Sequence, residues 1–304
     1  MRFKPRPWQL VLAIAAVCGI SVLGAAWYRA RGSTPAALVR RLPPDEALVV
    51  FIDFSALRRA GILQLFDGSK AGEDPGYQAF VRRVRLDYRR DLDSALLAFS
   101  PAGRFLLLKG RFDWPSLRAY VEAESGRCDR SLCRVVGSAP DRRISFFPLR
   151  STLMALAVSP DPSAALRLNT PGPGGDHEIP DAPIWLSLPG SVLRSGENLP
   201  SGTRPFARTM ERAQSVTLAF IPEGQRLAAK LNVRCANEQD AAQIASQLAG
   251  TTTLLRSLIE REHQKPNPAD LSGVLTAGAF RSEGRRVFGY WPIERALVEN
   301  LVGR

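Results

Sequence analysis

The chain opens on an uncharged run of 21 residues, Trp8 to Tyr28, with Arg2, Lys4 and Arg6 before it and Arg29 and Arg31 after it. At about 1.5 Å per helical residue, that length just crosses a hydrocarbon core of roughly 30 Å. The pattern predicts a single-pass anchor over residues 1–31, with Trp8, Trp27 and Tyr28 as interfacial aromatics. A cleaved signal peptide is the competing reading, since Gly24-Ala25-Ala26 offers small residues at a cleavage position. The anchor fits better, because the run is longer than a secretory signal needs and bulky Trp27 and Tyr28 follow it directly. A lipoprotein signal on Cys18 is disfavoured by Val17, which stands where a small residue is wanted.

After a connector at 32–44, the pattern changes to short apolar stretches of strand length. Ser94 to Lys109 (SALLAFSPAGRFLLLK) and Ser215 to Lys230 (SVTLAFIPEGQRLAAK) match at eight of sixteen positions, 121 residues apart. Each reads as a β-hairpin, an apolar strand followed by a turn with Pro and Gly and a returning strand. The flanking elements recur in the same order. Ala47 to Phe54 is a buried-strand pattern, and Ser55 can cap a helix running to Leu65; Pro75 to Tyr88 also reads as helical. Asp113 and Pro115 form a helix N-terminal signature for Pro115 to Glu124, and Arg143 to Leu149 and Thr152 to Ser159 read as strands.

In the second half, Pro183 to Leu188 takes the place of the first strand and Pro205 to Ala213 that of the helix. After the second hairpin come a long helix from Glu238 to Glu262, strands over Val274 to Phe280 and Arg286 to Trp291, and a terminal helix over Ile293 to Val302. The expected fold class is therefore α+β: a transmembrane helix, then two ferredoxin-like βαββαβ repeats with antiparallel sheets. The repeats span 45–169 and 183–304, and a Pro/Gly-rich linker at 170–182 joins them. Whether they share one sheet is open at this level.

The net charge of +12 raises the question of nucleic acid, and its distribution answers it. Residues 1–44 carry seven basic side chains and no acid; 45–169 carry 19 basic and 15 acidic, and 170–304 carry 15 and 14. Most of the excess thus lies beside the membrane segment, where anionic headgroups can meet it. The folded part lacks the one-sided footprint of a nucleic-acid binder. The densest basic run, Arg82 to Arg90, would place Arg82, Arg85 and Arg89 on one helix face, a docking strip for an acidic partner or lipid surface. The alternative is a solvated face paired to Asp87, Asp91 and Asp93.

Catalytic signals are sparse. His177 and His263 are the only histidines, and Asp176-His177-Glu178 lies in the linker, so no metal site and no Ser-His-Asp or Cys-His arrangement is expected. No Gly-x-Ser-x-Gly elbow occurs, and Gly172-Pro173-Gly174-Gly175 lacks the ending of a phosphate loop. Asp53 interrupts an apolar strand and reads as a helix cap or an arginine partner, the more so because its repeat counterpart near Pro189 is not acidic. No cofactor is implied. Cys128 and Cys133 sit five apart in a polar loop and suit a local disulfide in an oxidising compartment, with two reduced thiols as the alternative.

Leu42-Pro43-Pro44-Asp45, an N-terminal anchor, and a strand ending in Asp before a helix together resemble a loose group of bacterial envelope proteins without assigned activity. More distantly, the order of parts is similar to anchored proteins of pilus and secretion platforms, which place ferredoxin-like modules beyond a single helix. These resemblances imply no functional residue. The basic side chains flanking the span are nearly balanced and do not orient it. The cysteines favour a chain held in the inner membrane with its bulk outside the cytoplasm. The expected function is a non-enzymatic interaction or scaffold module, partnered by the membrane and by an envelope protein or a second copy. The alternative is a small-ligand or lipid-binding protein with its site between the repeats.

Overall fold

The computed structural model describes residues 34–43, 47–63, 75–137, 142–172, 177–195, 209–224, 226–262 and 265–302. A short helix α1 (Pro35–Val39), capped by the Thr34 side chain, leads into β1 (Leu48–Asp53). The Asp53 carboxylate accepts a 2.7 Å hydrogen bond from the Ala56 amide and so caps α2 (Phe54–Arg59). Helices α3 (Pro75–Val84) and α4 (Tyr88–Asp91) precede the hairpin of β2 (Leu92–Ser100) and β3 (Gly103–Gly110). Asp113 caps α5 (Trp114–Ala123) as its sequence predicts. The half closes with β4 (Arg127–Asp129), β5 (Leu132–Val136), β6 (Arg143–Arg150), β7 (Leu153–Ser159) and a 3-10 turn at Ala164–Leu168.

The second half repeats the order with β8 (Ile184–Pro189), α6 (Gly190–Ser195), β9 (Ala213–Glu223) and β10 (Arg226–Cys235). Asn237 caps the long α7 (Glu238–Arg261), after which come α8 (Leu271–Thr276), β11 (Ala279–Glu283), β12 (Arg286–Ile293) and α9 (Arg295–Val302). Residues 274–276, expected to begin a strand, end α8 instead, because Asp270 caps a helical turn there. The helix expected over Pro205 to Ala213 lies largely outside the described residues, and Ala213 itself begins β9.

Among the described residues, twelve strands form one antiparallel sheet in the order β11-β12-β10-β9-β8-β1-β2-β3-β7-β6-β5-β4. This corrects the ferredoxin-like expectation. In that unit a helix carries the chain across the sheet, so the first two strands are not neighbours. Here β1 pairs directly with β2, and β8 with β9. The chain between the paired strands returns to the same end of the sheet, as directly paired antiparallel neighbours require.

The halves meet where β1 pairs with β8, with Val50 opposite Leu186 and Phe51 opposite Trp185. Asp53 faces Ser94 in one half and Pro189 faces Ser215 in the other, so β1 corresponds to β8 at an offset of 136 and β2 to β9 at 121. Val50 and Leu186 are thus equivalent residues paired with each other. An approximate two-fold axis passes between them, as in an isologous interface.

Alternation along the strands gives the sheet two distinct faces. One face buries Val49, Phe51, Leu96, Phe105, Leu107 and Trp185 beneath α1 and the 3-10 turn. On the other, α5 covers the first half through Leu117 and Val121, while α6 and α7 cover the second through Val192, Ile244 and Leu248. The Pro/Gly-rich linker is tied down at its end: Ile179 and Ala182 pack against the core, and Glu178 binds Asn232 and Arg286. Among the described residues no helix is long and apolar enough to cross a membrane. The anchor expected over 1–31 lies outside them.

Candidate functional site

The expected arginine strip does not form a single face. Helix α3 ends at Val84, and Arg85 adopts a left-handed φ of 58°, which breaks the run before α4 begins at Tyr88. Arg82 and Arg85 are exposed, whereas Arg89 turns back to lie 3.8 Å from Asp87 and over the Tyr88 ring. Asp87 is occupied in turn: it caps α4 and accepts from the Tyr77 hydroxyl at 3.2 Å. Burial above all pushes that phenol up to about 12, so it stays a proton donor. The segment is a tied corner of the fold, with two outward arginines and one inward.

Cys128 and Cys133 face each other across β4 and β5 and form a disulfide. Sequence reasoning found the pair but not the strands, which are only three and five residues long and carry weak alternation. Cys133 is buried against Val121 and Phe146, so the bridge fastens the edge of the sheet to α5.

A cleft of about 690 Å³ opens at the end of the sheet in the second half. Its polar walls are Ser191 and Arg194 of α6, Gln214 of β9, Arg234 of β10, and Arg285 and Arg286 at the start of β12. Glu178 grips Arg286 from outside the lining, at 2.9 and 3.2 Å from Nη1, and accepts from Asn232 Nδ2 at 2.9 Å. Cys235 lies at the back and is almost completely buried. Burial, and secondarily the Asp240 carboxylate, pushes its thiol up, so it is neither a ready nucleophile nor a ready metal ligand. Four arginines without a carboxylate among the lining residues make the cleft electropositive. The arrangement can hold an anion. Sequence reasoning missed it because its arginines come from three separate stretches, α6, β10 and the start of β12, and no local motif marks them.

A second cavity of about 330 Å³ lies at the junction of the halves. The loop after α2 (Ala60 to Ile62), the β9–β10 hairpin (Pro222 and Leu227) and Val298 of α9 form its walls. His177 Nδ1 lies 3.2 Å from the Ser187 hydroxyl, and Asp176 lies outside the described residues. No group of three or more potential metal ligands occurs among the described residues.

Neither a family model nor a curated protein matches the chain. Solved structures do. Crystal form I of TP0453 aligns over 88% of this chain and 96% of its own, with a TM-score of 0.50 at 12% identity. Crystal forms III and IV of the same protein give TM-scores of 0.46 and 0.45 at 10% identity. At such identity the likeness is one of fold, and the chain is similar in architecture to TP0453.

Proposed function

We propose that the protein is a non-enzymatic envelope protein, anchored by a single pass at residues 1–31, that acts as an interaction or scaffold module outside the cytoplasm. The observation that carries this reading is the fusion of two like halves into one sheet through β1 and β8. A continuous sheet with a shared seam is a stiff platform, suited to holding partners at fixed spacing. The long helix α7 turns Leu254 and Leu258 outward, 58% and 46% exposed and one turn apart. Exposed apolar residues in such an arrangement suit contact with another protein. The Cys128–Cys133 bridge supports an oxidising compartment.

Cross-linking of the tagged full-length chain in cells tests the reading. The expected result is a near-stoichiometric envelope protein or second copy that is lost when Leu254 and Leu258 are changed to Glu. If the cross-links are absent, or survive that change, the scaffold reading fails. A second reading, a small ligand held between the halves, draws on the junction cavity. Ala60→Trp would narrow its mouth, and ligand-induced shifts in Tm that persist in this variant would dismiss that reading.

A further inference from the structure

The two halves serve as controls for each other, and the comparison singles out the arginine cleft. Strand registers fix which residues correspond. Ser94 pairs with Lys109 in the first half, and its equivalent Ser215 pairs with Arg234 in the second. Lys109 in turn pairs with Leu153, and Arg234 with Arg286. By the same rule, Asp53 corresponds to Pro189, Arg58 to Arg194 and Asp93 to Gln214. Arg58 and Arg194 are both the fifth residue of a six-residue helix.

In the first half this corner is closed and neutral. The Arg58 guanidinium lies 4.0 Å from Asp93 and donates to the carbonyls of Arg89 and Leu92. The Ser55 hydroxyl donates to Asp93 at 3.2 Å, and the Phe54 ring packs on Tyr88. Two acids and two bases occupy the corresponding positions. In the second half both carboxylates are gone, leaving Pro189 and Gln214, while the bases rise to four. Gly190 replaces Phe54, so the bulk that fills the first corner is missing from the second. A side chain there would collide with the Ala213 and Gln214 carbonyls. The serine is kept, as Ser191. One copy of the corner pairs its arginine internally, and the other opens it to solvent and surrounds it with more.

We propose that the cleft of Arg194, Arg234, Arg285 and Arg286 is a binding site for a phosphoryl group, borne either by a small soluble ester or by a lipid headgroup. Guanidinium forks match phosphate oxygens in pairs, and Glu178 fixes Arg286 in place for this role. Ser191 and Gln214 supply neutral donors on the same wall. The volume lies within the range of small-ligand sites and suits a headgroup rather than a polymer track. The site goes beyond the scaffold reading and does not depend on it.

Calorimetric titration of the full-length chain in neutral detergent tests the proposal. The probes are pyrophosphate, inorganic phosphate and dihexanoyl phosphatidylglycerol below its micelle concentration. The expected result is saturable one-to-one binding of at least one probe. Gln214→Asp, which restores the carboxylate of the first half at an exposed position, should weaken binding about tenfold or more. Arg285→Gln should weaken it by a smaller factor. Preference for pyrophosphate or inorganic phosphate assigns a small soluble phosphoryl compound, and preference for the short-chain lipid assigns a headgroup. Absence of saturable binding by all three probes overturns the proposal. So does unchanged binding by a Gln214→Asp protein whose circular dichroism and Tm match the parent.

Discussion

Trp185 is the side chain on which the seam depends. It is fully buried in β8, opposite Phe51 of β1, and the two rings stack with centroids 5.4 Å apart. Its indole Nε1 has no hydrogen-bond partner among the described residues. Apolar area therefore outweighs the cost of a stranded donor at this position. Trp185→Ala is expected to cost about 3–5 kcal/mol, as large-to-small changes in cores do. Trp185→Phe should cost only about 1–2 kcal/mol, because removing the unsatisfied N–H recovers part of the lost area. Denaturant unfolding of the two variants checks this. Equal losses for both would mean that the indole N–H is satisfied after all.

Elements differ in how openly the sequence declares them. Hairpin strands, the caps at Asp53 and Asp113, and the long α7 were legible because each rests on local chemistry. The pairing of β1 with β2 was not, since it depends on a segment of nearly forty residues folding back rather than crossing. The turns also mislead. Pro101 and Gly103 align with Pro222 and Gly224, yet the first chain reverses between Ser100 and Gly103 and the second between Glu223 and Arg226. Register across the sheet decides this, and register is a long-range property. The shifted hairpin brings Glu223 beside Tyr290, whose hydroxyl donates at 2.8 Å, and 3.2 Å from Lys230. The Tyr290 hydrogen bond first, and Lys230 second, hold the Glu223 carboxyl below the usual carboxylate range. A carboxylate lowered on folding stabilises above its unfolded value of about 4.3, and the contribution is lost as pH falls through the folded value. Tyr290→Phe should therefore raise the Glu223 titration midpoint and reduce the acid sensitivity of this part of β9, β10 and β12. Carbon-detected NMR titration reads the midpoint directly, and an unmoved value would discount the hydrogen bond.

At the scale of the whole molecule, the seam makes the halves one body. The same core holds Phe51 and Leu96 from the first half and Trp185 and Ala219 from the second. Calorimetric unfolding of the described region is accordingly expected as one transition, with calorimetric and van't Hoff enthalpies equal. Two resolved transitions would show that the seam does not couple the halves. The arginine cleft was illegible for the same reason that the seam was: both emerge only when distant strands are laid side by side. An axis between Val50 and Leu186 is the centre that a pair of identical subunits would share. Descent from such a pair requires no new interface, only a gene copied in tandem and a linker to join the products. Once joined, the copies no longer had to stay alike. One could keep Asp93 beside Arg58 for stability, while its sibling carries Gln214 in place of the acid and leaves Arg194 exposed. Asymmetry of this kind is closed to a true homodimer, in which every substitution is made twice.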